Sequence, residues 1–114
     1  MKRPILGVTM GDPAGVGPEI IARAFAEPAV MAECRPVVIG SAAIMKEALG
    51  LVGSPLAPHA VRTIAECRWA SATLECLDLG NVDAATLPRG EVSAAAGRAA
   101  YDYIERAEIG RAHV

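Results

Sequence analysis

The chain has 114 residues, of which 53% are hydrophobic, and this size and composition indicate one soluble α/β domain or part of one rather than a disordered chain. The net charge is −2 and no basic cluster occurs, so nucleic acid is excluded as an expected partner. No apolar run approaches the roughly 18 residues of a membrane span. The short apolar run near the start has no cleavage site, so we expect a cytoplasmic protein without a membrane partner.

The first predicted unit is a strand followed by a helix. The apolar run from Ile5 to Met10 predicts a buried parallel strand. Pro18 and Glu19 suit the first turn of a helix, which we therefore expect to begin at Gly17. Pro28 marks the end of this helix, and its apolar face is predicted from four residues: Ile20, Ile21, Ala24 and Phe25.

A second strand and helix follow. The run PVVIGS, Pro36 to Ser41, predicts a buried strand, and Ser41 is expected to cap a helix over Ala42 to Leu49 that Gly50 stops. After a proline-containing loop, Val61 to Ile64 predicts a short strand. Thr73 to Gly80 predicts another.

The last predicted element is a helix that Ser93 caps and that runs to about Ala107. It follows a loop that contains Pro88 and Gly90. Its apolar face is predicted from five residues: Ala96, Ala100, Tyr103, Ile104 and Ala107. The alternation of strands and helices predicts a parallel α/β layer with no repeat and no internal domain boundary.

The stretch TMGDPAGVGPEI, Thr9 to Ile20, places a glycine-rich loop between the first strand and its helix. It matches neither GxGxxG nor the P-loop pattern. It lies where open α/β sheets bind ligands, and the free N–H groups of a helix start favour anions there. Gly15 and Gly17 would let a ligand approach the backbone, and a branched side chain at Gly17 is expected to block it. Asp12 could bind a ribose or fix the loop. The alternative is a tight turn without a ligand.

Histidines and cysteines offer little chemistry. Cys34, Cys67 and Cys76 form no CxxC pair and are odd in number, so we expect buried or unreactive thiols rather than a disulfide framework or a zinc knuckle. His59 lies in the proline-containing loop and is expected at the surface. No metal site is predicted within this chain.

Three further residues have a functional and a simpler interpretation. Asp78 could face a cleft at the end of its strand, or could be solvated there. Arg98 could reach a phosphate or lie on a solvated helix face. Trp69 is expected to be partly buried with its N–H bonded.

The loop resembles the opening signature of the 4-hydroxythreonine-4-phosphate dehydrogenase (PdxA) family, most specifically over Gly11 to Glu19. The stretches PVVIGS and GEVSAAAGRAAYDYIERA resemble the same family in the same order, so the resemblance spans Ile5 to about Ala107. It implies the N-terminal part of an isocitrate/isopropylmalate dehydrogenase-like α/β/α fold with a largely parallel sheet.

The resemblance also implies an activity. Family members are cytoplasmic homodimers that use NAD and a divalent metal (Zn, Mg or Co) to oxidise and decarboxylate a small phosphorylated hydroxy acid. The main branch acts on 4-phosphohydroxy-L-threonine in pyridoxal 5′-phosphate biosynthesis. A sister branch acts on D-threonate or D-erythronate 4-phosphate, and LDLGNVD and VSAAAGRAAYDYI resemble that branch more.

By analogy with the isopropylmalate dehydrogenase loop, we assign five residues to the cofactor: Gly11, Asp12, Pro13, Gly15 and Gly17. The family's metal-binding and catalytic residues fall beyond residue 107 of the pattern, so none is assigned and this chain alone is expected to be inactive. Two alternatives remain: a noncatalytic anion-binding module, and another enzyme of the shared fold such as a phosphate acyltransferase.

The sequence therefore predicts a partial N-terminal α/β domain over residues 1–107 and a separate tail over residues 108–114. The tail, EIGRAHV, fits no capping or strand pattern, and Gly110 is expected to interrupt the helix. It matches the translation of a common sequencing adapter. We therefore expect a non-native segment, in which His113 is not a metal ligand.

Overall fold

A computed structural model describes residues 3–87, 90 and 93–112, and it contains one four-stranded, all-parallel sheet in the order β1-β2-β4-β3. The strands are β1 (Ile5–Thr9), β2 (Arg35–Gly40), β3 (Ala57–Val61) and β4 (Thr73–Asp78). The helices are α1 (Gly17–Phe25), α2 (Pro28–Glu33), α3 (Ala42–Leu51) and α4 (Ala94–Ala112), and a 3₁₀ turn spans Ile64–Glu66. The predicted parallel α/β fold is confirmed.

The two faces of the sheet can be told apart from the register. Val37 pairs with Glu75 on one face, and Val38 pairs with Cys76 on the other, because successive side chains alternate. Right-handed crossovers place α1 and α3 together on one face. Helix α4 packs against β1 and β2 and adds Tyr103 to the core that contains Cys76, so α4 covers the opposite face. The result is an α/β/α arrangement.

Central strand β2 carries the core. Val37, Val38 and Ile39 are all buried, between β1 and β4 and under helices on both faces. We would expect these three residues near an open edge or face in a chain of this length, and that expectation is wrong. The exposed edge is β1 instead, where Ile5 is 44% and Leu6 53% exposed. The prediction that Ile5 to Met10 forms a buried strand is therefore correct for the strand but wrong for the burial of its first half.

Most predicted helix starts are confirmed, whereas the ends differ. α1 begins at Gly17, but Pro28 starts α2 rather than closing α1. Ser41 caps α3 by accepting a hydrogen bond from the Ile44 N–H at 3.3 Å. Gly50 does not stop this helix, because one glycine weakens an α-helix by only about 1 kcal/mol and need not end it.

The third predicted strand is displaced in sequence. β3 covers Ala57–Val61, and the segment predicted as strand, from Val61 to Ile64, turns into the 3₁₀ turn instead. Pro58 argued against a strand over these residues, because proline lacks the N–H that a central strand needs. β3 is an edge strand, however, and a missing N–H is tolerated there.

Helix α4 is capped by Ser93, which accepts a hydrogen bond from the Ala96 N–H at 3.1 Å. Ala96, Ala99 and Tyr103 form its buried face, whereas Ile104 is exposed; in α1, likewise, Ile21 and Phe25 are buried and Ile20 is exposed. The backbone of α4 continues through Gly110 to Ala112, so the predicted interruption is wrong. The predictions for Pro88, His113 and the Ala107 side chain lie outside the described residues.

Candidate functional site

The glycine loop connects the carboxyl end of β1 to the first turn of α1. Met10 extends the pairing of β1 with β2 by donating its N–H to the Ile39 carbonyl at 3.0 Å. Gly11 follows with φ +76°, a left-handed conformation that side chains rarely adopt. The chain therefore leaves the sheet at Gly11 by a turn that glycine makes possible.

Asp12 fixes the loop from within. Its Oδ1 accepts a hydrogen bond from the Ala14 N–H at 2.8 Å, and its carbonyl accepts one from the Gly15 N–H at 3.0 Å. Of the two roles that the sequence left open for Asp12, the structure contains the internal one. The side chain remains exposed, so its second oxygen is open to solvent.

The two glycines predicted to admit a ligand differ. A Cβ on Gly17 would stand 2.6 Å from the Met10 carbonyl oxygen, which is far inside contact distance. A Cβ on Gly15 would find its nearest neighbour, the Asp12 carbonyl oxygen, at an ordinary 3.5 Å. Gly17 is therefore required by the loop's own packing, whereas Gly15 is exposed and leaves open space beside the backbone.

The middle of the loop is anchored to the rest of the fold. Pro13 and Ala14 are buried, and the Ala14 carbonyl accepts a hydrogen bond from the Gly90 N–H at 2.8 Å. Pro13 therefore supports the loop, and it also lines the cavity beside it. The five predicted cofactor residues divide into a supporting set (Gly11, Asp12, Pro13 and Gly17) and one open position, Gly15.

Val16 is a residue that the sequence reasoning missed. It occupies the N-cap of α1, makes no side-chain cap hydrogen bond and is 69% exposed. Valine is among the residues least suited to an N-cap, so the first N–H groups of α1 keep no protein side chain over them. The signal was the absence of a Ser, Thr, Asp or Asn directly before Gly-Pro-Glu.

A cavity of about 250 Å³ lies beside the loop, between α1 and α3. The loop residues Gly15 and Val16 form one wall, and Ile44 and Ala48 line another. The charged side chains that line it among the described residues are Glu19 and Glu47. An acidic rim disfavours a free anion in this cavity.

Two of the three residues with open roles have structural partners. Asp78 accepts hydrogen bonds from the Ala42 N–H at 3.2 Å and from the Gly80 N–H at 2.8 Å, so it caps α3 rather than being simply solvated. Arg98 is mostly exposed and pairs with Asp102 at 3.1 Å, which confirms the solvated helix face. Trp69 is half-buried, as predicted.

His59 is not a surface loop residue, contrary to the prediction. It lies in β3, half-buried, and its Nδ1 is 2.6 Å from Oε1 of Glu75. Glu75 is only 2% exposed, and its Oε2 accepts hydrogen bonds from the Arg68 and Trp69 N–H groups at 2.8 Å each. The sequence did not predict this buried carboxylate, because Glu75 is a single charged residue within an apolar run.

The cysteines are free, as predicted. Burial raises the pKa of the Cys67 thiol to about 11 and that of the Cys76 thiol to about 12, so both are protonated and unreactive at neutral pH. No three His, Cys, Asp or Glu side chains come together as metal ligands within the described ranges. The described residues therefore do not form a metal site. None of the described helices is long and apolar enough to cross a membrane.

The parallel sheet and the glycine loop at a strand end define an α/β protein of the kind that binds ligands at the carboxyl ends of its strands. No family model matches the chain. The chain is 48% identical over 104 residues to D-threonate 4-phosphate dehydrogenase of Cupriavidus necator. The alignment covers 91% of this chain and 31% of that protein.

Solved structures agree. A 4-hydroxythreonine-4-phosphate dehydrogenase from Burkholderia phymatum matches with a TM-score of 0.91 and 40% identity, over 99% of this chain and 34% of that one. The enzyme of the same name from Klebsiella pneumoniae matches with a TM-score of 0.79 and 39% identity, over 93% and 32%. The chain is thus similar to part of these dehydrogenases, as the resemblance of its loop predicted, and spans about a third of the length of the relatives it matches.

Proposed function

We propose that this chain is the cofactor-side part of an NAD-dependent dehydrogenase that oxidises, with decarboxylation, a small phosphorylated hydroxy acid. The observation that carries the proposal is the loop geometry: exposed Gly15 and an N-cap without a capping side chain leave backbone N–H groups accessible at the start of α1. The names of the relatives support the class of substrate.

The role of this chain's residues is to bind and orient the cofactor. NAD supplies the hydride acceptor when it is bound. The first N–H groups of α1 and the partial positive charge of the helix start would hold a pyrophosphate. Asp12 and Gly17 keep the loop in shape before the cofactor arrives, so little ordering entropy is lost on binding.

The substrate that the relatives favour is D-threonate 4-phosphate, or its erythronate analogue, because the C. necator enzyme of that name is 48% identical. The second candidate is 4-phosphohydroxy-L-threonine in pyridoxal 5′-phosphate biosynthesis. It is supported by the solved structures, whose names carry that activity at 39–40% identity. The two acids share a phosphate and a secondary alcohol, so one site chemistry serves either.

The remaining parts of the proposal lie outside this chain. We propose that the divalent metal (Zn, Mg or Co) and the catalytic residues come from the portion of the family pattern beyond residue 107. On this proposal the complete protein is a cytoplasmic homodimer, and the described residues alone have no dehydrogenase activity.

The test is an assay of the full-length protein encoded in frame with this sequence. NADH formation is followed with D-threonate 4-phosphate, D-erythronate 4-phosphate and 4-phosphohydroxy-L-threonine, each with NAD and with NADP. We expect turnover with NAD and one of the three acids. Failure of all six combinations, in a folded and metal-supplied protein, would remove the dehydrogenase proposal. The phosphate acyltransferase alternative would then be assayed next.

A noncatalytic anion-binding module is the alternative from another class. Glu19 and Glu47 beside the loop would repel a free anion and a pyrophosphate alike, so they do not separate this alternative from the dehydrogenase proposal. Tight binding of inorganic phosphate without any binding of NAD would favour this alternative.

A further inference from the structure

A second cavity, of about 360 Å³, lies at the amino ends of β2 and β4, at the end of the sheet opposite to the glycine loop. Its walls include the apolar side chains of Phe25, Met31, Leu56 and Trp69. Its volume is at the lower end of the range for small-molecule pockets, about 300–1,000 Å³. We call it the amino-end cavity.

Arg35 is the cation of the amino-end cavity, and it is held from two sides. Its Nε donates a hydrogen bond to the Arg3 carbonyl at 2.8 Å, and its guanidinium carbon lies 5.3 Å from the centroid of the Trp69 ring. Within the described part of the chain, its two terminal nitrogens have no hydrogen-bond partner and no carboxylate within ion-pair distance. A positioned guanidinium with unused terminal donors is the preferred partner of a carboxylate or phosphate.

The second arginine at this cavity is not available in the same way. Arg3 donates from its terminal nitrogen to the carbonyl groups of Met31 and Cys34, and so joins the start of β1 to the end of α2. Glu75, which also lines the cavity, is occupied by His59 and by the N–H groups of Arg68 and Trp69. Arg3 and Glu75 are thus committed to the fold, whereas the terminal nitrogens of Arg35 are not.

The cavity wall from Trp69 to Ala72 is unusually constrained. Trp69 and Ala72 both have left-handed backbones, with φ 54° and 57°, although neither is a glycine. Such conformations persist where surrounding contacts enforce them, and they concentrate at ligand-binding sites. Here the Glu75 carboxylate enforces the first of them by holding the Trp69 N–H.

We propose that the amino-end cavity binds a small organic oxyanion, a carboxylate or a phosphate monoester with an apolar body. The terminal nitrogens of Arg35 bind the oxyanion, and the apolar body lies between Trp69, Phe25 and Met31. This proposal is independent of the dehydrogenase function, because it uses none of the residues of the glycine loop.

Calorimetry on the full-length protein measures binding directly, and Trp69, the one tryptophan of these 114 residues, is an optical probe of the cavity wall. We would titrate the full-length protein with benzoate, with phenyl phosphate and with the neutral isostere benzamide. The two anionic probes distinguish carboxylate from phosphate ligands. We expect a saturable change in Trp69 emission with at least one anion, and at least tenfold weaker binding of benzamide.

Three variants make the test specific. Arg35→Gln should weaken the anion at least tenfold, and Arg35→Lys should weaken it less, because lysine keeps the charge but loses the paired donors. Arg98→Gln is the matched control, since Arg98 also stacks on an aromatic ring, Tyr101 at 5.7 Å, but lines neither cavity. It should leave binding unchanged.

Circular dichroism on every variant establishes that the fold persists, and Arg35→Lys serves if Arg35→Gln unfolds. Equal binding of benzamide and benzoate would overturn the proposal, and so would equal loss in the Arg98 control. The absence of any saturable change with the folded wild-type chain would also overturn it.

Discussion

The carbonyl oxygen of Met10 lies 2.6 Å from the point where a Cβ on Gly17 would stand. The last residue before the loop and the first residue of α1 are therefore in close backbone contact, and only glycine fits at the second position. The glycine pattern that marks the loop in sequence therefore has two physical origins: Gly17 and Gly11 serve the turn, and Gly15 leaves space beside it.

The first prediction concerns Gly17→Ala. Because the added methyl group meets a backbone carbonyl that cannot rotate away, the turn must shift, and we expect a loss of about 1–3 kcal/mol in the free energy of unfolding. Urea unfolding of the full-length protein measures it. Gly15→Ala is the matched control and should change stability by less than about 0.5 kcal/mol. Equal effects of the two substitutions would show that the Met10 approach is not limiting.

The second prediction separates stability from binding at the same loop. Gly15→Val in the full-length protein should leave the fold intact, since its Cβ meets only ordinary contacts, but should weaken NAD about tenfold or more by filling the space beside the N–H groups. NAD titration by calorimetry, with thermal melting as the control for folding, measures both. Gly17→Val, by contrast, should lose binding and stability together. An unchanged NAD affinity in Gly15→Val would exclude the loop from the cofactor site.

The sequence predicted three of the four strands and most of the helix starts, because local signals determine them. Ser41 and Ser93 both cap the predicted helices, and Pro18 opens α1. It predicted burial less well. Ile20 and Ile104 fit an apolar helix face by periodicity, yet both are exposed, because which residues face the sheet depends on how the helix is rotated against its neighbours.

Residues whose role depends on a distant partner could not be predicted. Glu75 reads as one charged residue in an apolar run, and nothing local indicates that His59 and two backbone N–H groups surround its carboxylate. The cofactor residues show the same limit. The glycine pattern identified the loop, but whether Gly15 or Gly17 faces open space depended on the position of the Met10 carbonyl.

The third prediction concerns the pH dependence of stability at Glu75. Burial alone would raise the pKa of this carboxyl group, but the Trp69 N–H, His59 and the Arg68 N–H outweigh burial and hold the pKa below its usual value of 4.5. A pKa that is lower in the folded than in the unfolded chain stabilises the fold above the unfolded pKa. That stabilisation is lost as pH falls through the folded pKa.

Unfolding free energy should therefore fall as pH decreases below about 4.5, and Glu75→Gln should reduce this fall. At neutral pH the same substitution should destabilise the chain by about 1–3 kcal/mol, because a neutral amide would replace the carboxylate that accepts hydrogen bonds from these N–H groups. Glu33→Gln, on the exposed side of α2, is the control and should retain the wild-type pH dependence. Identical acid profiles for the wild type and Glu75→Gln would refute the assignment.

The last prediction concerns the open edge of β1. Strand β1 pairs on one side only, and Ile5 and Leu6 are 44% and 53% exposed beside its unpaired N–H and C=O groups. The other edge strand, β3, contains Pro58, which blunts pairing, whereas β1 has no proline or charge within Ile5–Thr9. The 114-residue chain should therefore unfold with weak cooperativity or associate through β1.

Leu6→Lys should reduce the association, because a charge at a sheet edge opposes the addition of another strand. Sedimentation velocity at increasing protein concentration measures the association, and Leu51→Lys, at a more exposed leucine on α3, is the control for charge alone. A sharp unfolding transition of a wild-type monomer, or an equal effect of the two lysine variants, would show that the β1 edge is not the cause.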